Sequence, residues 1–180
     1  MSYTAIGVIS DTHGNTLLME RVCSYLLHKE KVNTIYHLGD NYEDGEYLIS
    51  IGYPVKVVPG LWCDQFEDGK TPKVIIEEIH NIRIAFAHTI DLILKSRGKE
   101  CNIHCFGHTH TPIIKKDNNK ICFNPGHLKK QIDRGNEASF GIIKFETNHI
   151  CFEIISAWDI GNIVKKIKTE YLNLQEENKT

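Results

Sequence analysis

Asp11 and His13 are the first residues whose types and spacing could do chemistry, since they follow directly on the apolar segment 6–9. In an extended chain, residues two positions apart point to the same face, so this carboxylate and this imidazole can converge on one point. Such a point could hold a cation. A glycine follows, and a helical pattern begins near Asn15, which predicts a strand, a loop and a helix, a common place for active sites in α/β proteins.

Further carboxylate and imidazole side chains follow later apolar segments in the same way, namely Asp40, His88, His108 and His110. Two divalent metals about 3.5–4 Å apart, bridged by a carboxylate and a hydroxide, need about this set of donors. Asp40 is the predicted bridge. Mixed oxygen and nitrogen ligation favours Mn²⁺, Fe²⁺ or Zn²⁺ over Mg²⁺ and Ca²⁺, which prefer oxygen ligands alone.

The elements that must position these residues change character along the chain. In the first half, strands are predicted at 3–10, 34–38 and 55–58, with helices between them, and this alternation predicts right-handed βαβ units and a mostly parallel sheet. The second half is rich in predicted strands, with one short helix at 90–95 and a polar, glycine-containing segment at 129–138 that is a candidate mobile loop. The strands are predicted at 74–79, 82–87, 103–106, 113–114, 121–123, 141–145 and 150–155.

The C-terminal segment has apolar residues at helical spacing, at positions 160, 163, 164, 167, 171 and 174. This spacing predicts an amphipathic helix at about 159–175 that packs on the body or on a partner. The sequence contains neither an internal repeat nor an interdomain linker. Residues 1–180 are therefore predicted to form a single domain. Such a domain can be a monomer or part of a homo-oligomer.

The net charge of the chain indicates which kind of partner to expect. The 180 residues carry a net charge of −2, which gives no electrostatic reason to expect nucleic acid or an acidic membrane surface. The predicted partner is therefore a small molecule. The first residues lack the basic region and cleavage site of a signal peptide, and the six cysteines show no CxxC pair, so we expect a cytoplasmic protein with reduced thiols.

In this order, the motifs resemble those of the calcineurin-like metallophosphoesterases. The resemblance covers about residues 5–145 and is closest to the small, single-domain bacterial and archaeal phosphodiesterase branch. It implies an α/β (α+β) fold, a four-layer αββα sandwich of two mixed β-sheets flanked by helices. It also implies a first metal held by Asp11, His13, Asp40 and His110, and a second held by Asp40, His88 and His108. The matching segments are Asp11-Thr12-His13, Gly39-Asp40, residues 60–64, His88, Gly107-His108-Thr109-His110 and Asn124-Pro125-Gly126.

Two positions depart from the pattern of that branch. Its members have Gly-Asn-Cys-Asp after the third strand, where the asparagine binds the second metal, whereas this chain has the longer segment 60–64 without asparagine. Asp64, Cys63 or a water could replace that ligand, or the second site could be weak or vacant. Cys63 also lies nearest to the histidine that protonates the leaving group in many relatives, and its alternative role is a small buried hydrophobe. His127 replaces a serine and could face the phosphate, or it could be an exposed loop residue.

The resulting hypothesis is a dinuclear metal-dependent phosphoesterase, most simply a phosphodiesterase. In this hypothesis a hydroxide that bridges the metals attacks phosphorus, and the metals are Mn²⁺, with Fe, Zn and Ni as alternatives. Because no general acid is obvious, a small phosphate ester with an aryl or similarly activated leaving group is the expected substrate. The alternative is a non-catalytic or weakly active protein-interaction scaffold with a degenerate metal site, like the retromer subunit of the same superfamily.

Overall fold

Two large β-sheets pack face to face in a computed structural model of the chain, which describes residues 4–171 and residue 174. The first half alternates strands and helices as predicted. Its three strands lie side by side in parallel, because a helix returns the chain to the same end of the sheet after each of the first two. These elements are β1 (Thr4–Ile9), α1 (Thr16–His28), β2 (Thr34–His37), α2 (Tyr42–Ser50), β3 (Val55–Val57) and α3 (Asp64–Glu67).

The second half consists mostly of strands, which confirms the expectation from its short apolar segments. A hairpin of two antiparallel strands turns at His80 and Asn81, both of which have positive φ angles. The elements are β4 (Val74–Ile79), β5 (Ile82–Ala87), α4 (Ile90–Leu94), a 3-10 turn (Arg97–Glu100), β6 (Ile103–Phe106), β7 (Ile113–Asp117), β8 (Lys120–Asn124), β9 (Ile132–Asp133), β10 (Asn136–Glu137), β11 (Ser139–Phe145), β12 (His149–Ser156) and β13 (Ile163–Glu170).

Both sheets are mixed, as expected for the predicted fold class. The six-stranded sheet has the order β13-β12-β11-β1-β2-β3, and the five-stranded sheet has the order β4-β5-β6-β8-β7. In the first sheet β1, β2 and β3 are parallel, whereas β11, β12 and β13 run antiparallel to their neighbours. In the second sheet the parallel strands are β5, β6 and β8. Parallel strands from both sheets therefore carry the segments that hold the candidate ligands.

The main hydrophobic core lies between the two sheets. Tyr36 of one sheet stacks on Phe86 of the other, with ring centroids 3.7 Å apart and planes within 2° of parallel. Helices α1 and α2 cover the outer face of the six-stranded sheet through buried residues such as Val22 and Leu48. Helix α4 covers the outer face of the five-stranded sheet through Ile93. The described chain thus has the four layers αββα.

The predicted C-terminal helix at 159–175 is wrong, because residues 163–170 form β13, the edge strand next to β12. Residues 172, 173 and 175 of that prediction lie outside the described residues. The apolar residues of the predicted stripe do not share one buried face, since Leu174 is fully buried whereas Ile163 and Val164 are 43% and 49% exposed. The segment is β-branched at Ile163, Val164, Ile167 and Thr169, which favours a strand wherever an open sheet edge offers backbone partners.

The polar segment 129–138, predicted as a candidate mobile loop, contains regular structure. It folds back on itself as the two-stranded ribbon of β9 and β10, in which Asp133 pairs with Asn136 and Ile132 with Glu137. The backbone amide of Ala138 also donates to the carbonyl of Gln131 over 2.9 Å. These bonds give the segment a defined shape beside the strand ends.

A buried carboxylate fastens the edge strand to the sheet. Glu153 on β12 is 3% exposed, and it accepts hydrogen bonds from Lys144 on β11, over 2.8 Å, and from Lys166 on β13. Burial by itself raises the pKa of Glu153, but the two ammonium groups outweigh burial, so that the pKa lies below its usual value. Glu153 is therefore ionised and stabilises the fold at neutral pH.

We expect Glu153→Gln to lower the free energy of unfolding by about 2 kcal/mol at pH 7, because it leaves Lys166 without its carboxylate and leaves Lys144 with that of Glu30 alone. Since the folded pKa is depressed, this stabilisation is full above the usual glutamate pKa and is lost as pH falls through the lower, folded pKa. Urea unfolding monitored by circular dichroism measures both effects. Glu170→Gln, an exposed change on the same sheet, is the matched control, and equal midpoints for the two variants at pH 7 would contradict the assignment.

Candidate metal centre

Six of the residues predicted to bind metal lie together where strands of both sheets end. His88 follows β5 directly, and the other five lie in loops with backbone φ angles between +48° and +91°. Side chains other than glycine rarely adopt such left-handed conformations, and those that do cluster at functional sites. The five are Asp11, His13, Asp40, His108 and His110.

The first group of possible ligands consists of Asp11, His13 and His110, whose nearest donor atoms lie within 4.8 Å of one another. The Nε2 atoms of the two histidines face each other over 3.2 Å. Asp11 Oδ1 lies 3.3 Å from His110 Nε2, and Asp40 Oδ2 lies 2.8 Å from the other nitrogen of His13. These are the four residues of the predicted first site.

The second group consists of Asp11, Asp40 and His88, again within 4.8 Å of one another. His88 Nε2 faces His108 Nδ1 over 3.2 Å, which adds the fourth predicted residue of this region. Asp11 thus belongs to both groups, whereas the sequence singled out Asp40 as the shared carboxylate. Asp40 joins the second group and contacts His13 of the first, so both carboxylates lie between the two histidine pairs.

In two of these imidazoles, the ring nitrogen that points away from the other candidate ligands contacts an oxygen acceptor. His88 Nδ1 lies 2.8 Å from the carbonyl oxygen of Leu38, and His110 Nδ1 lies 2.6 Å from Asp133 Oδ2. These acceptors place the ring proton on Nδ1 and leave the lone pair of Nε2 facing the group. Imidazoles that bind metals are oriented in the same way by their outer hydrogen bond.

The donor set fits divalent cations. Asp11 Oδ1 is buried and has no hydrogen-bond partner in the described part of the chain, although such atoms are costly to bury. Burial raises the pKa of Asp11, but the nearby imidazoles of His110 and His88 and the hydrogen bond from Ser10 outweigh burial, so the pKa is lowered and the group is ionised. An ionised carboxylate and facing imidazole nitrogens are ligands that suit Mn²⁺, Fe²⁺ and Zn²⁺.

A series of buried hydrogen bonds fixes the loop that carries Asp11 and His13. The backbone amide of Gly39 donates to His37 Nδ1 over 3.2 Å, so His37 Nε2 carries the proton and donates to the Thr12 hydroxyl over 3.1 Å. That hydroxyl donates to Asp44 Oδ2, which also accepts from the amide of Gly14 over 2.9 Å. Burial lowers the pKa of His37 to about 4, so this imidazole is neutral at physiological pH and the hydrogen bonds keep the directions given above.

The other three candidates take different positions. Asp64 is exposed at the start of α3 and belongs to neither ligand group among residues 4–171. Cys63 is half-buried, and its thiol donates to the backbone oxygen of Asp40 over 2.6 Å, while burial raises its pKa. His127 is fully buried, so its interpretation as an exposed loop residue is wrong. Its Nε2 lies 3.1 Å from the carbonyl of Asn136, and its ring centroid lies 5.2 Å from that of His110.

Sequence reasoning missed the residues that hold the ligands in place. Asp133 lies in the segment predicted as a mobile loop, and only its acidic type, on the edge that carries His110, could have suggested it. Asp44 had one available signal, its position in the first turn of α2 four residues after Asp40. His37 ends β2 and has the spacing of an ordinary buried strand residue.

The sequence of this chain is similar to those of known phosphoesterases. The model of the calcineurin-like phosphoesterase superfamily domain matches residues 5–148. The protein named Probable metallophosphoesterase MJ0623, of Methanocaldococcus jannaschii, is 33% identical over 131 residues, which are 67% of this chain and 66% of that protein. The chain thus matches just under two thirds of that relative's length.

Solved structures share the fold. YfcE, a phosphoesterase from E. coli, superimposes with a TM-score of 0.70 at 20% identity, over 91% of this chain and 98% of that one. Vps29 from Chaetomium thermophilum has a TM-score of 0.69 at 19% identity, over 93% and 97%. The family model covers most of the sequence and includes the loops that bring the six residues together, and so the chain belongs to the calcineurin-like phosphoesterase superfamily.

Proposed function

We propose that this protein is a phosphodiesterase that depends on two divalent metal ions. The observation that supports this most strongly is the position of Asp40, which belongs to the ligand group of His88 and whose Oδ2 lies 2.8 Å from His13 of the other group. A carboxylate shared by two imidazole-containing groups is what a pair of neighbouring cations requires. The native metal in this proposal is Mn²⁺, with Fe, Zn and Ni as alternatives.

In this proposal Asp11, His13, Asp40 and His110 hold the first ion, and Asp40, His88 and His108 hold the second. When bound, such ions activate a water molecule as nucleophile and neutralise charge on the phosphoryl oxygens. The protein residues fix the positions of the ions. His88 and His110 do so through their bonds to Leu38 and Asp133, which prevent ring rotation.

Cationic side chains from the ribbon segment line the same region and would attract an anionic ester. Arg134 donates to the backbone oxygen of His108 over 2.9 Å, and its side chain is 56% exposed. Lys129 and Lys130 lie 3.8 Å and 3.3 Å from Asp133, on the far side of His110. These three cations surround the single carboxylate of Asp133, and the positive charge that remains favours a phosphate group over a neutral substrate.

The proposed substrate is a small phosphodiester with a good leaving group. Neither residue that the sequence suggested as an acid is well placed for that task, because the Cys63 thiol is bonded to a backbone oxygen and His127 is fully buried. An aryl or similarly activated ester does not need its leaving oxygen to be protonated by the protein. We therefore expect faster hydrolysis of aryl than of alkyl diesters.

The proposed location is the cytoplasm. All six cysteines are free in the structure, as expected in a reducing compartment. Within residues 4–171, every helix is too short or too polar to cross a membrane.

The alternative is a protein-interaction scaffold with a degenerate metal site. Two observations favour it, namely the likeness in fold to Vps29 and the absence of an asparagine in residues 60–64. In addition, the edge strand β13 exposes Ile163 and Val164, and Trp158 is 42% exposed shortly before that strand. A scaffold would bind fewer than two ions and would not hydrolyse diesters, so the measurements below separate the two functions.

The first prediction concerns metal content. After equilibration with excess Mn²⁺ and rapid desalting, the chain should retain two equivalents, because both ligand groups are assembled by the fold. Elemental analysis by mass spectrometry measures the ratio of metal to protein. One equivalent would contradict a dinuclear centre and would support the scaffold.

The second prediction concerns Asp40. We expect Asp40→Asn to lower the Mn²⁺-dependent hydrolysis of bis(p-nitrophenyl) phosphate by more than about a hundredfold, because it removes a charged donor next to both histidine pairs. The circular dichroism spectrum should not change. Asp159→Asn, in the exposed connection before β13, should keep the activity of the native chain, whereas native turnover by Asp40→Asn would refute the shared carboxylate.

The third prediction concerns Asp133, whose carboxylate contacts Nδ1 of the proposed ligand His110. Asp133→Asn should weaken Mn²⁺ binding by about 10- to 100-fold, because it replaces the charged acceptor of the His110 ring proton by a neutral amide that can also donate, so the ring is no longer held in one orientation. Isothermal titration calorimetry measures the affinity directly. Asp117→Asn, an exposed change on β7, is the matched control, and equal affinities would show that the contact does not position His110.

A further inference from the structure

A cavity of about 420 Å³ opens beside the candidate metal centre. One wall is formed by the end of β6 and the residues after it, including Phe106 and His108. The opposite wall is formed by α4 and the residue before it, and Leu61 from the loop after β3 closes one side. Because His108 belongs to both the cavity and the metal centre, a molecule bound to the centre can extend into this cavity.

Part of the cavity wall is apolar, and this apolar part is fixed by the core behind it. Phe106 is 6% exposed and belongs to the buried cluster with Ala85, Ala87 and Ile93. Ile90 and Leu92 are partly buried and pack against that same cluster. The cavity is therefore preformed, and an apolar group that enters it removes hydrophobic surface from water without ordering a loop.

The charges at the cavity favour a neutral occupant. Asp91, in the first turn of α4, and Lys95, just after its end, are both exposed and have opposite signs. They offer little net attraction for a second phosphate group. A volume of about 420 Å³ also exceeds the roughly 150 Å³ of a cavity that holds benzene, so an aromatic ring with substituents fits.

We propose that this cavity binds the neutral aromatic ester group of the substrate while the phosphate lies at the metal centre beside His108. The proposal rests on the proposed function and names its substrate class, a phosphate ester that carries an aryl or nucleobase-like ring. Specificity for the ring then comes from apolar contact with three side chains, those of Leu61, Ile90 and Phe106. An ester with a small alkyl group leaves these surfaces exposed to water and binds more weakly.

The test compares two phosphonates that are not hydrolysed and differ only in the organic group. Phenylphosphonate and methylphosphonate are titrated into the full chain loaded with Mn²⁺, and calorimetry gives both affinities. The native chain should bind phenylphosphonate about tenfold more tightly, the effect of burying one ring. Equal affinities for the two ligands, or failure to bind either, would overturn the proposal.

Variants at Leu61 make the test specific to the cavity. Leu61→Ser, in a loop, removes an apolar wall, and Leu61→Trp fills the space, so both should lower the preference for phenylphosphonate by about fivefold without weakening methylphosphonate binding. Leu94→Ser is the matched control, because Leu94 is 51% exposed at the end of α4 and lines a different cavity. An unchanged preference in both Leu61 variants would also overturn the proposal.

Hydrolysis is measured separately, so that the two proposals can fail independently. A chain that hydrolyses aryl diesters but binds both phosphonates equally would retain the proposed function and refute the ring site. A chain that shows the ring preference, and loses it in the Leu61 variants, but hydrolyses no diester would support the ring site and refute the phosphodiesterase.

Discussion

The contact between Asp11 and the backbone of residues 107–108 is the constraint on which the candidate centre depends. Asp11 Oδ2 accepts from the amide of His108 over 2.8 Å, which joins the end of β1 in one sheet to the end of β6 in the other. A Cβ atom on Gly107 would lie 1.9 Å from the Ser10 hydroxyl oxygen, so only glycine permits this approach. Without the contact, the ligands contributed by the two sheets would not meet.

The centre is locally unfavourable and is stabilised by the rest of the fold. It combines left-handed backbone at five residues with a buried carboxylate oxygen that has no hydrogen-bond partner in the described chain. Each such feature costs on the order of 1–3 kcal/mol. The packed core between the sheets, with its stack of Tyr36 on Phe86, offsets that cost and holds the strand ends rigidly in place.

The residues of the centre could be predicted because each lies within four residues of the end of an apolar strand. That pattern is local, and the sequence therefore indicated Asp11, Asp40 and His88 together with the strands that precede them. The strand β13 could not be predicted in this way, since the same apolar positions fit a helical period. The open edge of β12 and the ion pair with Glu153 favour the strand, and both exist only in the folded protein.

The supporting residues were missed for the same reason. Asp133 acts on His110 across 23 positions of sequence, from a polar segment that has neither helical nor strand periodicity. Its importance follows from the proximity of the ribbon to the strand ends, which is a property of the tertiary structure. The sequence thus predicts the candidate ligands, whereas the structure is needed to identify the groups that orient them.

The departure in residues 60–64 also acquires a physical meaning. A Cβ atom on Gly60 would lie 2.2 Å from the backbone oxygen of Asp40, and the Cys63 thiol donates to that same oxygen. Gly60 and Cys63 therefore both hold Asp40 in its left-handed conformation, although the segment contains no asparagine. The segment thus positions a carboxylate without offering an amide oxygen of its own as a ligand. In the proposed centre this leaves the second ion with three protein ligands, one fewer than the first.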